Sequence, residues 1–585
     1  MIYSPHWKGT YMYLKKSTSS QTGRTQLSIV HGFRDSEGKT RQKTIMSLGY
    51  LDVLEKEYDD PIAHFEQLAK QMDQTRKEKN SAIELSISPN AVLPVGSDTR
   101  KNFGHVVFSH LYHELELDYF INNRRRYTNA RYNHNSIFKL LVYSRLLAPG
   151  SKKRAFEQRN MLFDKMDFSL DDVYRSLSFF AQFKDPMLQA IHKRIKKLYG
   201  RDTSLVYYDV TNYYFEISKQ DGLRRKGVSK EHRADPIVQM GLFLDTDGIP
   251  LTYGLYPGNM LDKQTLIPMI HQVRKKYALG RFIVVGDRGM ISGDNIRQIL
   301  LDHCGYVLSY SIRAADATFK EYVLDQSDYR KIGREGFKIK SRIYPREIYV
   351  STLKGKKKKI SINEKHIVFY SPDYDRKAKA DRQAVLAKAQ RLISSPAAYA
   401  RATSYGAAKY VKEQTFSPSS GHIIDDAEHF LIADQDVLRE EEKYDGYYAI
   451  ITSELDKEDE KIVDIYRGLW KIEDSFRITK SDLETRPVYV SRHDHIEAHF
   501  LSCFVALVLV RLLEKRLNGK HPVSKILESL KRNSCSLLEE NMYLFDYYDQ
   551  ILSDIGETIG IDFSRKYRTA GEIRKIFGGS KKKDI

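Results

Sequence analysis

Three carboxylates stand out by the company they keep. Asp209 sits inside the apolar run LVYYDVTNYYF, and Asp287 closes the apolar run FIVVG at the start of a GDRG turn. Glu473 lies in DIYRGLWKIEDSFRITKSDLETRP. A carboxylate in an apolar strand is expensive to bury unless it is paired, hydrogen-bonded or bound to a metal. Strand ends of αβ sheets are where ligand sites gather, and the glycines beside Asp287 permit a tight turn there. Together the three side chains are a hard-oxygen donor set of the kind that holds divalent cations. Singly, each also reads as a helix cap or an ion-pair partner, as in the i,i+4 spacing of Glu473 and Arg477.

The segment around Glu473 carries more. On a helix, Tyr466, Leu469, Trp470, Glu473, Arg477 and Lys480 fall on one stripe. The stripe is aromatic, then acidic, then basic, whereas a purely structural buried face would carry Leu and Ile.

The elements that must position these groups follow from the hydrophobic pattern. From 203 onward the runs read β-β-β-α-β-α-β, with a DTDG turn between the second and third strands and Ser292 as a helix N-cap. Asp209 falls on the first strand and Asp287 closes the fourth. The predicted class is α/β: one mixed sheet with flanking helices. Residues 313–440 fit that sheet poorly. Their short β-like runs (FKIKSRIY, EIYVSTL, KHIVFYS), a KGKKKK run at Lys354–Lys359 and the helical RQAVLAKAQRLI predict an inserted, partly β subdomain. The sheet pattern returns with YDGYYAIITS.

Before the sheet, residues 1–50 alternate as short strands around a DSEGKT turn. A helix is expected over 60–79, a polar linker over 80–97, and helices through 103–200, one of them preceded by the basic RRRYTNARYNHN. The end of the chain reads as helical with a disordered basic tail, GGSKKKDI.

Composition narrows the class of partner. The chain has 585 residues, with Lys and Arg at 95 against 76 Asp and Glu, a net charge of +19. That excess favours a polyanion, nucleic acid before membrane. Cys304, Cys503 and Cys535 are isolated, which supports neither a disulfide framework nor a zinc site and fits a reducing cytosol. The N-terminus has no apolar signal segment. FLSCFVALVLVRLLEK is broken by Arg511 well short of the ~20 residues that span a bilayer, so it reads as a buried core helix.

The order strand, strand, helix for the three acids resembles the ribonuclease H-like catalytic domain of DDE transposases from bacterial insertion sequences. Within these it is most similar to the IS-four superfamily, which carries a large insertion before the last acid. That family's helix signature is Y-x2-R-x3-E-x6-K; Tyr466, Glu473 and Lys480 match it, whereas Leu469 stands at the arginine position. YDVTNYYFE, VVGDRGM, YDGYYAIIT and RLLAPGSK (Arg145–Lys152) also resemble its motifs. The similarity runs from about 140 to about 510.

The resemblance implies a division of the chain. Residues 1–97 form an N-terminal β-rich unit with a helix and linker, and 98–200 a helical DNA-binding region. The catalytic domain takes 201–312 and 441–515, interrupted by the subdomain at 313–440, and 516–585 is helical with the basic tail. It further implies two Mg²⁺ ions roughly 3.5–4 Å apart, with Mn²⁺ able to substitute. Asp209 would bridge both ions, while Asp287 and Glu473 each hold one. Tyr466 and Lys480 would contact phosphates beside the cut; helix geometry adds Arg477, and adjacency to Asp287 adds Arg288. The expected partners are double-stranded DNA, both terminal inverted repeats and target, and a second copy of the chain on paired ends, in the bacterial cytoplasm near the nucleoid. Two other readings are another nuclease or resolvase of the same fold, and a catalytically silent DNA-binding descendant.

Overall fold

The computed structural model describes residues 11–20, 22–34, 40–79, 90, 92–231, 233–333, 335–352, 354–399, 406–415, 429–538 and 541–581. They divide into two compact units, Met1–Val95 and Gly96–Ile585. In the first, strands β1 (Tyr11–Thr18), β2 (Thr25–Arg34) and β3 (Thr40–Tyr50) form an antiparallel meander. Helix α1 (Pro61–Lys79) packs on it, and Leu27, Leu54 and Phe65 fill the interior. The expected DSEGKT turn, most of the 80–97 linker and the end of the basic tail lie outside the described residues.

The second unit opens with a short strand, β4 (Arg100–Asn102), and a series of helices: α2 (His105–Glu114), α3 (Leu117–Arg125), α4 (His134–Leu147), α5 (Lys152–Glu157), α6 (Leu170–Gln182) and α7 (Lys184–Tyr199). Helix α6 illustrates why they form. Ser169 and Asp172 make a capping box at its start, and Val173, Ser176, Leu177 and Phe180 recur at helical spacing and are buried.

The sheet then builds in the expected order. Strands β5 (Leu205–Tyr214), β6 (Ile237–Leu244) and β7 (Pro250–Pro257) are antiparallel neighbours. Helix α8 (Asp262–Tyr277) leads to β8 (Ile283–Gly286), and helix α9 (Gly293–Leu301) leads to β9 (Gly305–Tyr310). β8 lies parallel to β5, and β9 parallel to β8. Ser292 does cap α9, accepting from the Asn295 amide at 3.1 Å.

Residues 313–440 depart from the expectation of a separate insertion. After helix α10 (Ala317–Leu324), strands β10 (Arg330–Lys331), β11 (Lys338–Ser351) and β12 (Lys357–Tyr370) extend the same sheet. The sheet has nine strands, ordered β10-β11-β12-β15-β9-β8-β5-β6-β7, where β15 is Tyr447–Thr452. FKIKSRIY and EIYVSTL, which looked like two runs, are one strand, with Pro345 in its middle. Its outer edge beyond Ile339 has no ladder partner, so a proline that cannot donate is tolerated there. Helix α11 (Pro372–Ile393), strands β13 (Val411–Thr415) and β14 (His429–Ala433), and helix α12 (Gln435–Glu442) have their own small core around Ala389, Tyr410, Val411 and Leu438.

The sheet continues into helices α13 (Asp459–Arg467) and α14 (Trp470–Arg477), a π-turn at Ile478–Asp482, and the long helix α15 (His493–Arg516). α15 is apolar enough to cross a membrane, but 94% of its apolar window is buried inside the protein. It packs against α2, α4 and α6, so the helical region and the sheet share one core. Its Arg511 is buried and ion-paired with Asp474 and Glu514, at 2.9 and 2.7 Å. The segment after α15 is not purely helical. Between helices α16 (Val523–Arg532), α17 (Gln550–Ile559) and α18 (Ala570–Gly579), strands β16 (Ser534–Leu537), β17 (Met542–Phe545) and β18 (Tyr567–Thr569) form a second sheet with β4.

Candidate active site

The register of β5 against β8 sets the two aspartates side by side. Val206 pairs with Val284 and Tyr207 with Val285; the same offset carried forward aligns Asp209, in the middle of β5, with Asp287, just past the carboxyl end of β8. Asp209 is half-buried. One of its oxygens accepts from the Val210 amide at 2.7 Å. Burial first, then the facing Asp287 charge, push its carboxyl up to about 7, while the Lys230 ammonium pulls the other way. Asp287 caps the short 3-10 turn Arg288–Met290, accepting from the Gly289 amide at 2.8 Å through one oxygen. The capping reading of Asp287 therefore holds for one oxygen and leaves the other open.

The stripe expected on a single helix is broken. α13 ends at Arg467, and the chain tightens through Gly468 and Leu469. The amides of Leu469, Lys471 and Ile472 bond three residues back, at 2.9, 3.1 and 3.1 Å. Leu469 turns into the core at 7% exposure, whereas Trp470 is 57% exposed. A leucine at the arginine position is thus a packing residue. Gly468 lies against the Tyr207 ring so closely that a methyl group there would overlap the phenol. Downstream, the Tyr213 hydroxyl meets the Thr479 hydroxyl at 2.7 Å. Tyr207, Asp209 and Tyr213 share one face of β5. The chain from 468 to 479 therefore runs along the Asp209 face, and Glu473 falls between the two contacts. Glu473 is exposed and has no hydrogen bond or ion pair among the described residues.

The remaining expected residues are placed differently from one another. Tyr466 reaches the Asp287 side of the site: its hydroxyl bonds that of Tyr448 at 2.8 Å, and burial, with Tyr448, Asp287 and other neighbours, raises its pKa. Lys480 lies over the Tyr213 ring at 5.7 Å and is ion-paired with Glu231 at 3.0 Å. Arg477 is exposed and ion-paired with Asp474 and Asp482, both at 2.9 Å. Arg288 is exposed and unpaired among the described residues.

Sequence reasoning missed three contributors. Lys230 donates to the Val210 carbonyl at 2.6 Å, beside Asp209. Asp262 begins α8, and its carboxyl is raised by burial and by Asp287, with Lys230 opposing. Glu231 joins Lys480 to Arg486. Lys230 and Glu231 lie in an irregular loop, where no periodicity could have marked them. Asp262 could have been noticed as an acid opening a helix, a common capping pattern that says nothing of a site. Tyr448 falls in YDGYYAIIT, which the family resemblance did single out.

A family model described as a transposase DDE domain matches residues 218–509, and one described as the N-terminal domain of IS1634 family transposases matches residues 14–83. The chain belongs to the DDE transposases of insertion sequences. This transposase is a metal-dependent enzyme of DNA cutting and strand transfer. No curated protein matches it. Among solved structures it is similar to a piggyBac transposase synaptic complex with hairpin DNA, at 7% identity and a TM-score of 0.33, over 83% of this chain and 85% of that one. It is also similar to a Mos1 transposase paired-end complex with the left transposon end, at 12% and 0.14, over 44% and 69%. At those scores neither structure places any residue here.

The residues present fit a divalent ion in part. Asp209 and Asp287 each keep an oxygen free, and burial together with their mutual repulsion leaves negative charge that a cation would relieve. Among the described residues, no three acidic, histidine or cysteine side chains are gathered at ligand distance.

Proposed function

We propose that this transposase, a member of the IS-four superfamily with a ribonuclease H-like catalytic sheet, cuts DNA at the terminal inverted repeats of its element and joins the freed ends to target DNA. The observation that carries the reading is the in-register pair Asp209, in the middle of β5, and Asp287, at the end of the adjacent parallel strand β8, with the Glu473 helix laid along the same face. Three antiparallel strands followed by two parallel ones, with helices between, support the ribonuclease H-like assignment. Asp209, Asp287 and Glu473 would hold two Mg²⁺ ions, with Mn²⁺ substituting. Such ions polarise the phosphate and stabilise both the attacking and the leaving oxygen of an in-line displacement.

The chain's own groups do the rest. Asp209 and Asp287 present their free oxygens to the reacting centre, with the Lys230 ammonium close to Asp209. Tyr466 and Lys480 position the phosphates beside the cut, and the exposed Arg288 and Arg477 take phosphates on the solvent side. Water attacks first and frees a 3′-OH; that hydroxyl then attacks the target strand. Both steps are phosphoryl transfers and need no covalent protein intermediate. Two ends cut together call for two copies of the chain on paired ends. The helices of 98–200 are the source of end binding.

The test is cleavage of a duplex carrying the DNA that flanks the gene, in Mg²⁺ and in Mn²⁺. Cleavage at the element ends that disappears in Asp209→Ala, Asp287→Ala and Glu473→Gln is expected. Cleavage that persists in Asp209→Ala would overturn the assignment.

A further inference from the structure

Strands β11 and β12 outrun the sheet they belong to. They pair with each other along their whole length, but β12 pairs β15 only from Lys365 to Tyr370, and β10 covers only Lys338 and Ile339. Residues 340–351 and 357–364 therefore form a two-stranded ribbon standing beyond the main ladder.

The ribbon is a fixed arm. At its root, Glu364 is fully buried and takes charge-assisted bonds from Arg346, one at 2.9 Å, and a bond from the Tyr306 hydroxyl. Toward its tip, Ile348 and Val350 turn inward and are buried. Gly293 packs beneath the Tyr349 carbonyl with no room for a side chain, and the Ser351 amide and hydroxyl bond Asp294 at 2.7 and 2.9 Å. Gly293 and Asp294 open α9, the helix that directly follows the Asp287 turn. The tip is thus pinned next to one of the proposed catalytic acids.

At that tip basic side chains outnumber the acids Glu347 and Asp294. Lys354, Lys356, Lys357 and Lys358 are exposed, and none has an ion pair among the described residues. Lys359 pairs with Glu347 on the outward face, beside Tyr349, which is 61% exposed. Four unmatched ammonium groups on a rigid ribbon repel one another, an arrangement that an anionic partner relieves. A duplex lying at Asp287 continues past the site as a row of phosphates, and a two-stranded ribbon is of a size that a DNA groove admits.

We propose that the ribbon tip is a phosphate-binding arm that grips the DNA duplex alongside the cut, through Lys354, Lys356, Lys357 and Lys358. This rests on the reading of Asp287 as part of the active site. The contacts are to backbone, so the arm holds DNA without selecting sequence.

The experiment compares wild-type chain, the quadruple Lys→Ala variant and the quadruple Lys→Arg variant. Binding to a mixed-sequence duplex is measured in chelator across a range of salt, with melting temperature as the control for folding. Lys→Ala is expected to bind roughly 10- to 100-fold more weakly, with the log–log salt slope reduced by about 2 to 3. Lys→Arg is expected to restore both. Unchanged affinity and slope in a folded Lys→Ala variant would overturn the proposal, as would a loss that Lys→Arg fails to restore. Because binding is read without metal, failure of the arm is distinguishable from failure of the acid site, which Asp209→Ala tests by cleavage.

Discussion

Asp245 and Asp209 lie close together on the same pair of strands, three rungs apart, and they are given different surroundings. Asp245 follows β6 at the hairpin, where the side chain is 2% exposed. It meets the Arg201 guanidinium at 2.9 Å and accepts from the Asp247 and Ile249 amides at 3.1 and 2.8 Å. Arg201 in turn bonds the Pro250 carbonyl at 2.9 Å. Asp209, halfway along β5, has one amide and a nearby lysine, and it faces another acid. Burial pushes both carboxyls up, Asp245 to about 6 and Asp209 to about 7, but the one that serves the fold is surrounded by donors and the one that serves chemistry is left short of them. The difference separates the two kinds of buried aspartate where strand context alone does not.

Substitution should break the two sites differently. Asp209→Ala and Asp287→Ala should lower Mg²⁺-dependent cleavage by about a thousandfold or more while the chain melts no lower than wild type. Asp245→Ala should do the reverse, stranding Arg201 in the core at a cost of about 3–5 kcal/mol, read as a fall in melting temperature. Equal destabilisation by Asp209→Ala would erase the contrast. Next in size is Gly468→Ala. The added methyl must displace the Tyr207 phenol, costing about 1–3 kcal/mol in chemical denaturation, and it should reduce cleavage by moving Glu473 off the Asp209 face.

A pH titration sharpens the same contrast. The Asp209 carboxyl is raised to about 7 when folded, so the folded chain binds more protons there than the unfolded chain does. Stability of the metal-free protein should therefore fall as pH rises from about 4 to 7, by about 2 kcal/mol after solvent screening. Asp209→Asn should shrink that fall without abolishing it, because burial also raises Asp245 (to about 6) and Asp262, and millimolar Mg²⁺ should offset the Asp209 part in wild type. A stability profile that is flat in metal-free wild type would contradict the cause assigned here. Smallest is Arg477→Ala. The Arg477 side chain is itself exposed, so a change within about 0.5 kcal/mol is expected in thermal denaturation.

The sheet order from 203 to 310 was readable because each element is long, apolar and punctuated by turns, as with VQMGLFL, DTDG and PLTYGLY. The acids were readable because a charge inside such a run is conspicuous. The extension of the sheet by β10–β12 was not readable. Edge and ribbon strands carry charge on their open side, so Lys338–Ser351 alternates too poorly to announce a single strand. The break at Gly468 was hidden for a different reason. Helical spacing projects a straight helix, and what interrupts this one is the Tyr207 ring, more than two hundred residues earlier in the chain. The lysine and glutamate beside the acids, Lys230 and Glu231, sit in a loop whose path only the folded neighbours determine.

The pairing of β4 with β16 has a consequence for how the molecule comes into being. Arg100, Lys101 and Asn102 find their ladder partners in Ser536, Cys535 and Ser534, and the Asn102 amide bonds the Leu530 and Lys531 carbonyls at 2.9 and 3.1 Å. On the ribosome, the opening segment of this unit must wait for residues made more than four hundred positions later. Contacts so distant in sequence form late and slowly. Each chain therefore spends its synthesis unable to complete its fold, so an element encoding it acquires a competent enzyme only after the whole unit has been made.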